Sequence, residues 1–542
     1  MVDKGHSSAR WNIAPCCLCA VASSVLLWLA YPPVGCAWIV FAALSPLLAI
    51  SRFTTLSRAA ATWTLAGLLF WFANFSGFTV LRDHGVEWKF VLLGLVVGPL
   101  LRTLFFALFG FLSAYMWRRV NRNPSFRIRM CAILLAEPFL WAGCEWLRVS
   151  LSLGMEGVHL GTAVCQIPGI AWPARLGGEF LLSAIAVLAN GAIVSLVFAM
   201  AQKRLSCRAI EIALPCVLVA ILAIAARPCV DGRQLTKQMR VVLVQRNAPL
   251  KSRIEKMLND GFDPYGQYAT LLSGVAGEPA DLVVLPESAM DEFGSDIRGT
   301  EAWKAMKFIS QKTKTPAIMA GGQSKTPAPH GRYIQTAAAL YAFPREGDDL
   351  EPQVYIKREL LPFGECNPLA KWIPALRDAS YFVESPGTEV GLFEHNGFRV
   401  APLVCFDGFV SQPARESAAA GAQALVLISN DLWYAPSSLP MLHFWQAVAR
   451  SVETGLPLVS AGNVGVTGVV RPDGFVRYLE NRATGKPLMA EAGVMRETID
   501  VSLLPVRTLY TRFGDLPLLC LAALALVFAV FVNFEEKKTG RI

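Results

Sequence analysis

Long apolar stretches dominate the first 230 residues, and they constrain the fold more than any other feature of the chain. A helix needs about 20 mostly apolar residues to cross the hydrocarbon layer of a membrane. The chain is 54% hydrophobic and only 17% charged, which no ordinary soluble domain matches. We therefore predict a membrane-embedded helical bundle with eight spans, at 12–30, 34–50, 60–80, 90–116, 128–147, 180–200, 209–226 and 515–534.

Basic residues cluster in alternate connections between the predicted spans. Short cytoplasmic loops accumulate Lys and Arg, so these clusters predict eight crossings with both termini in the cytoplasm. They also explain the net charge of +9 without any binding of nucleic acid. The clustered residues are Arg52 and Arg58; Arg118, Arg119, Arg122, Arg127 and Arg129; and Lys203, Arg204 and Arg208.

Between residues 235 and 505 the apolar stretches give way to short β-rich runs separated by amphipathic or Gly- and Pro-rich segments. Strands that alternate with helices predict an α/β sandwich. We predict a transmembrane domain over 1–234, an extramembrane α/β domain over 235–505, and a last span with a cytoplasmic tail over 506–542. The predicted strands are 240–245, 281–285, 317–320, 336–342, 353–357, 400–405, 424–429, 458–461 and 467–470, and the predicted helices are 262–276, 299–313, 411–421 and 439–454.

Three of the apolar runs end on an acid, an amine and a thiol, at Glu287, Lys357 and Cys405. Open α/β sheets place their sites at the carboxyl ends of strands. Each residue alone also has a structural explanation, as a helix start, a solvated charge and a small buried hydrophobe respectively. Together they suggest covalent acyl chemistry.

The chemistry of this trio starts from the thiol. A free Cys has a pKa near 8.5, so a nearby base must take its proton at neutral pH, and Glu287 is the candidate. Attack of Cys405 on an ester carbonyl creates an oxyanion, which Lys357 and the backbone N–H of Phe406 are placed to stabilise. The product of this step is a thioester on Cys405.

Longer motifs surround these residues. Leu285-Pro286-Glu287-Ser288, the run from Lys357 to Glu365 and Ser429-Asn430-Asp431-Leu432-Trp433 resemble the nitrilase superfamily, which uses a Glu-Lys-Cys triad. With the membrane half, the whole chain resembles the bacterial apolipoprotein N-acyltransferase family. The membrane motifs are Leu29-Ala30-Tyr31-Pro32-Pro33, Glu145-Trp146-Leu147-Arg148 and Tyr510-Thr511-Arg512-Phe513-Gly514-Asp515.

The resemblance implies an activity and a place in the cell. It implies a nitrilase-like α-β-β-α sandwich on the outer side of the bacterial inner membrane, in a monomeric enzyme with no metal or organic cofactor. The acyl donor would be a membrane phospholipid, commonly phosphatidylethanolamine. The acceptor would be the α-amino group of the diacylglyceryl-cysteine that begins an apolipoprotein. Transfer would be ping-pong, through the Cys405 thioester, in the last step of lipoprotein maturation.

The resemblance also assigns supporting residues. Glu365 matches a second carboxylate that supports the lysine, and Trp433 matches an aromatic near the mouth of the site. Glu145 and Arg148 are candidates for substrate binding, because charged residues at a membrane edge are often functional. The alternative for this last pair is an interfacial salt bridge at helical i, i+3 spacing.

Three departures from the family pattern affect these expectations. Asp407 stands where the family usually has Glu, and Cys366 stands where it has an aromatic residue. The tract 153–159 lacks the expected Pro-Trp. Two thiols on an oxidising side of a membrane can pair, but we expect no disulfide between Cys366 and Cys405, since it would disable the nucleophile.

Two other functions remain open at this stage. A membrane-tethered amidase or nitrilase-type hydrolase would turn over small amides with water, independently of lipid. A lipoprotein-binding or transport protein without catalysis would keep its function after the substitution Cys405→Ala. Transport is the weakest of these, because no repeated polar face runs along the predicted spans.

Overall fold

The computed structural model describes residues 13–122, 125–151, 158–203, 205–227, 236–249, 266–275, 277, 279–287, 289–290, 300–328, 331–343, 351–374 and 384–532. The chain divides into two compact units. The first, called the membrane unit here, contains Met1–Ser152, Val158–Arg227 and Asp515–Ile542, and the second, called the sandwich unit, contains Pro228–Gly514.

Apolar helices form the membrane unit. Six of those in the described residues are long and apolar enough to cross a membrane: Ile13–Ala30, Leu56–His84, Trp88–Val120, Phe126–Leu151, Ala174–Ala201 and Ala209–Ala226. The predicted spans 34–50 and 515–534 correspond to shorter apolar helices, Ala37–Phe53 and Leu516–Phe531. The helical bundle is confirmed, whereas the count of eight crossings stays a prediction.

Arg52, one of the charges that predict a cytoplasmic loop, lies buried at the end of the helix Ser45–Phe53 in the membrane unit. Its Nη2 lies 2.5 Å from Glu137 Oε2, and its Nη1 donates a hydrogen bond of 3.0 Å to the carbonyl oxygen of Gly191. Glu137 Oε1 accepts from Ser113 Oγ at 3.0 Å and from Trp117 Nε1 at 2.7 Å. A buried charge needs such partners, so the Arg52 charge is compensated inside the protein.

Two six-stranded sheets lie in the described residues of the sandwich unit. In chain order the strands are β1 (Thr236–Gln245), β2 (Leu282–Val284), β3 (Ala317–Ala328), β4 (Gly331–Ala342), β5 (Gln353–Ile356), β6 (Phe393–His395), β7 (Phe398–Val404), β8 (Ala424–Ser429), β9 (Leu458–Gly462), β10 (Gly468–Val470), β11 (Val476–Tyr478) and β12 (Gly493–Ser502). The first sheet has the strand order β12-β1-β2-β3-β4-β5 and the second β11-β10-β9-β8-β7-β6.

Strand direction decides which strand ends meet. In the first sheet β1, β2 and β3 are parallel, while β4 is antiparallel to β3 and β5 is antiparallel to β4. Two antiparallel steps restore the direction, so β5 ends at the same edge of the sheet as β2. In the second sheet β7, β8 and β9 are parallel and end together.

The core lies in layers. Val241 and Leu243 of β1 point into an apolar cluster that also contains residues of the second sheet, such as Val426 of β8. The alternate residues Val242 and Val244 face outward, against the helices Gly266–Ser273 and Glu301–Thr313. The helices Ser411–Ala419 and Leu439–Thr454 contact β7 and β9 of the second sheet. This arrangement is the α-β-β-α sandwich that the resemblance implies.

All nine predicted strands and all four predicted helices of this unit are present, with shifted ends. β6, β11 and β12 were not predicted from the sequence. The sandwich unit also runs to Gly514, beyond the predicted boundary at residue 505. There Thr508 caps the helix Leu509–Phe513 and donates a hydrogen bond of 2.7 Å to the carbonyl oxygen of Glu453, which attaches this segment to the sandwich.

Candidate active site

Cys405 follows β7 directly and begins the tight turn Cys405–Gly408. Its φ of +48° lies in the left-handed region, which is uncommon for a residue with a side chain and costs of order 1–3 kcal/mol. Strain of this kind persists only where the surroundings hold the residue in place. The chain therefore changes direction sharply at the thiol.

Glu287 lies three residues after β2, on a segment fixed against β3. Gly321 N donates a hydrogen bond of 3.2 Å to the carbonyl oxygen of Pro286, and Met290 N donates one of 3.0 Å to that of Gly321. A Cβ at Gly321 would collide with the backbone of Glu287, so this close approach requires glycine. The approach holds the Glu287 carboxyl group in a buried position.

Lys357 follows β5 and is fully buried. Its Nζ lies 2.6 Å from Glu365 Oε1 and 3.7 Å from Glu287 Oε1. Burial by itself lowers the pKa of Lys357, but the neighbouring Glu365, Cys405 and Glu287 outweigh it and raise this pKa well above its usual value. The lysine is therefore a permanent cation between two carboxyl groups.

The side chains of Glu287 and Cys405 lie close enough to shift each other's pKa. Burial raises the pKa of Glu287 to about 7, although Lys357 and the thiol oppose the shift. Burial and the nearby Glu287 raise the pKa of Cys405 well above its usual value. The thiol thus holds its proton at neutral pH, with the Glu287 carboxyl group beside it. The structure brings together the acid, the amine and the thiol that the sequence singles out.

Two further carboxyl groups lie around Lys357. Glu365 Oε2 accepts a hydrogen bond of 2.7 Å from Leu361 N, and Glu384 N donates one of 2.9 Å to the carbonyl oxygen of Glu365. The side chain of Glu384 accepts from Thr336 Oγ1 at 3.0 Å, and its pKa is raised by burial and by Glu365. Glu384 was not predicted from the sequence, because it lies in no recognisable motif.

Asp407 is fully buried and holds four hydrogen bonds. Its Oδ2 accepts from the Tyr355 hydroxyl at 3.0 Å and from Val404 N at 2.9 Å. Its Oδ1 accepts from Arg358 N at 3.2 Å and from Glu359 N at 2.8 Å. The shorter side chain at this position therefore joins the turn of Cys405 to the segment that follows Lys357.

His443 and Asp431 also reach the turn, and the sequence analysis did not single out either as a site residue. His443 Nε2 lies 2.9 Å from the carbonyl oxygen of Cys405, and its Nδ1 lies 2.7 Å from Asp431 Oδ1. Asp431 follows β8, which is parallel to β7, so the two strands deliver it and Cys405 to the same edge. No sequence signal distinguishes His443 within the apolar helix Leu439–Thr454.

The other residues considered for the site are Trp433 and Cys366 in the sandwich unit and Glu145 and Arg148 in the membrane unit. Trp433 is half-buried in the turn Asp431–Tyr434. Cys366 and Cys405 form no disulfide with each other. Of the departing tract 153–159, residues 153–157 lie outside the described residues.

Glu145 and Arg148 are buried in the membrane unit. Glu145 Oε1 accepts a hydrogen bond of 3.1 Å from Leu160 N, and Arg148 Nη2 donates one of 2.9 Å to the carbonyl oxygen of Val158. The Arg148 guanidinium lies 4.9 Å from the centre of the Trp71 ring. These contacts hold the segment that begins at Val158, and a role in substrate binding stays a prediction.

Comparisons with known proteins cover both units. The family model of the apolipoprotein N-acyltransferase N-terminal domain matches residues 23–192, and that of carbon-nitrogen hydrolases matches residues 251–484. An apolipoprotein N-acyltransferase of Gloeobacter violaceus is 30% identical over 97% of this chain and 95% of its own length. One of Geobacter metallireducens is 29% identical over 95% of this chain and 94% of its own length. Among solved structures, a CN-hydrolase superfamily protein of Xanthomonas campestris covers 49% of this chain and 91% of its own, with 19% identity and a TM-score of 0.33.

Proposed function

Because the chain belongs to the apolipoprotein N-acyltransferase family, we propose that it moves an acyl chain from a phospholipid to the N-terminus of an apolipoprotein. The acceptor is the α-amino group of the diacylglyceryl-cysteine. The observation that carries the proposal is the meeting of buried Glu287 and Lys357 with the partly buried Cys405 in one cluster, where burial raises the pKa of Glu287 to about 7.

The first half of the reaction loads the enzyme. Glu287 takes the proton of the Cys405 thiol, and the sulfur attacks the carbonyl carbon of a phospholipid ester. The Lys357 ammonium and the backbone N–H of Phe406 stabilise the oxyanion, a contribution often worth several kcal/mol where water is scarce. When the C–O bond breaks, Glu287 returns the proton to the leaving alkoxide. The products are a lysophospholipid and a Cys405 thioester.

The second half of the reaction transfers the acyl chain from Cys405 to the apolipoprotein. The uncharged α-amino group of the apolipoprotein attacks the thioester carbonyl, and the same two donors stabilise the second oxyanion. Glu287 accepts the proton of the attacking amine, and the C–S bond breaks to leave an amide and the Cys405 thiolate. The thiolate then recovers its proton from Glu287. One carboxyl group with a pKa near neutrality serves both halves, since it must accept and return a proton in each.

The apolar helices support a lipid substrate rather than a small amide. Moving one CH₂ group from hydrocarbon into water costs about 0.8 kcal/mol, so an enzyme that leaves acyl chains in the bilayer avoids a prohibitive cost. Six helices long enough to cross a membrane serve this purpose. We place the enzyme in the bacterial inner membrane as a monomer, with both termini in the cytoplasm and the sandwich unit on the outer side.

Mass spectrometry of the intact protein tests the proposal. After incubation with phosphatidylethanolamine, the wild type is expected to gain the mass of one acyl chain, and Cys405→Ala is expected to gain none. Cys366→Ala is the matched control, because it removes the other thiol of the described sandwich unit and keeps the nucleophile. An adduct that persists in Cys405→Ala would refute the assignment of the nucleophile. Turnover of small amides without lipid and without an adduct from phospholipid would favour the hydrolase.

A further inference from the structure

The protonation of His443 follows from its two partners. The carbonyl oxygen of Cys405 can only accept a hydrogen bond, so Nε2 of His443, 2.9 Å away, must carry a proton. This holds whether the second proton of the pair is on Nδ1 or on Asp431, 2.7 Å from Nδ1. Burial lowers the pKa of His443, but Asp431 and the hydrogen bond to Cys405 outweigh it and raise the pKa, which favours the imidazolium.

The pair is also held firmly. His443 is buried and stacks on Phe409, with ring centres 4.5 Å apart and planes at 15°. Asp431 N donates a hydrogen bond of 3.1 Å to the carbonyl oxygen of Val464, and a Cβ at Gly465 would lie 2.5 Å from Asp431 Oδ2. Packing on both partners therefore fixes the direction of the Nε2–H bond.

The accepting carbonyl belongs to the same peptide group as the backbone N–H of Phe406. A trans peptide group is planar and its C=O and N–H bonds point in opposite directions, so fixing the oxygen also fixes the hydrogen. A hydrogen bond to the oxygen polarises the group and strengthens the N–H as a donor, because bonds in a chain reinforce one another. The effect is larger when the donor is charged.

We propose that His443 is a positioning residue that acts through the Cys405–Phe406 peptide group, aiming and strengthening the Phe406 N–H toward the oxyanion. This inference rests on the proposed function, in which Phe406 N–H stabilises the oxyanion of both half-reactions. Asp431 supports it by holding Nδ1. His443 touches neither the substrate nor the sulfur in this role.

Two reactions of the same thiol separate this role from a purely structural one. Acylation by phospholipid passes through an oxyanion, whereas alkylation by iodoacetamide does not. His443→Phe keeps an aromatic ring for stacking on Phe409 and removes the donor. Removing an oxyanion donor outright costs about 10²–10³ in rate, so weakening one is expected to slow acylation about tenfold. KM for phospholipid and the rate of alkylation are expected to stay within about twofold, since neither depends on the oxyanion.

Further variants complete the test. His443→Met replaces His443→Phe if the larger ring prevents folding, which the thermal unfolding midpoint reveals. His443→Gln can donate an amide hydrogen to the Cys405 carbonyl, and it is expected to recover part of the lost acylation rate. Asp431→Asn leaves a neutral ring that can still donate from Nε2, and it is expected to fall between wild type and His443→Phe.

The rates of acylation and alkylation together decide whether the inference holds. A selective loss of acylation with alkylation preserved supports the inference. Equal loss of both reactions means that His443 only shapes the turn, and unchanged acylation means that it does not act on the peptide group; either result overturns the inference. Failure of the wild type to form any acyl adduct would instead refute the proposed function, so the two failures are distinguishable.

Discussion

The Tyr355 hydroxyl donates a hydrogen bond of 3.0 Å to Asp407 Oδ2. Tyr355 lies on β5 of the first sheet, and Asp407 lies in the turn after β7 of the second. The bond therefore connects the two sheets next to Lys357 and Cys405. Relatives are expected to carry the longer Glu at this position. In this chain the shorter Asp407 side chain accepts all four hydrogen bonds.

Asp407→Ala should lower both stability and activity. The substitution leaves buried N–H and O–H groups without an acceptor, and each such group costs about 1–3 kcal/mol. We expect a lower thermal unfolding midpoint in detergent and slower formation of the acyl-enzyme. Asp500→Ala is the matched control, because Asp500 is exposed on β12. Equal midpoints for the two variants would show that Asp407 has no such role.

Glu365 and Glu384 should respond differently to the same substitution. Glu365→Gln removes the carboxylate 2.6 Å from the buried Lys357 ammonium, and breaking a buried pair costs about 3–5 kcal/mol. Burial and Glu365 raise the pKa of Glu384, so its carboxyl group resembles the neutral Gln at slightly acid pH. We expect Glu365→Gln to slow acyl-enzyme formation at least about a hundredfold and Glu384→Gln to change it less than about threefold at pH near 6.5. Equal effects on the measured rate would contradict this distinction.

The rate of acyl-enzyme formation should depend on pH through Glu287. The base works only when ionised, and burial raises its pKa to about 7, so the rate should rise with pH and reach half its maximum near pH 7. Lys357 keeps its proton throughout this range, because its pKa is raised well above the usual value. Single-turnover rates measured between about pH 5.5 and 8.5 check this, and Glu287→Gln should be slow and lose the pH-dependent rise. A rate that is constant across this range, as an ordinary carboxyl group ionised below about pH 5 would give, would be inconsistent with the buried base.

Glu137→Gln should destabilise the membrane unit. The substitution removes the charge that compensates buried Arg52, which typically costs about 3–5 kcal/mol. Glu87→Gln is the control, because Glu87 and its partner Lys89 are both exposed and such pairs contribute only about 0–1 kcal/mol. We expect a clearly larger fall of the thermal midpoint in detergent for Glu137→Gln. Similar midpoints would mean that the Arg52 charge is compensated by other groups.

The sequence predicts the parts of the site that follow apolar strands. Apolar runs end at Val284, Ile356 and Val404, and such runs are recognisable in the sequence. The site residues that follow these runs were therefore identified. The direction of the strands explains why these residues lie close together. β6 and β11 have three residues each, too few for a pattern. β12 was missed although Met495, Ile499 and Val501 are buried on one face, because Glu497 interrupts the alternation of apolar and polar residues on that face.

Residues that depend on tertiary contacts were not predictable in this way. His443 approaches the site only because its helix packs beside β9, and Glu384 only because its backbone bonds to Glu365. Arg52 appears as a loop charge in the sequence because its partner Glu137 lies 85 residues away. Local patterns carry no information about such pairs, since a side chain's burial depends on what packs against it.

Transfer from an isolated acyl-enzyme tests the central claim most directly. Wild-type protein loaded from phosphatidylethanolamine bearing a labelled acyl chain is freed of donor lipid and mixed with a diacylglyceryl-cysteine peptide. If Cys405 carries the acyl group as a thioester, the protein should lose the labelled mass while the peptide gains it as an amide on its α-amino group. Release of the label as free fatty acid, with an unchanged peptide, would contradict the account and identify a hydrolase.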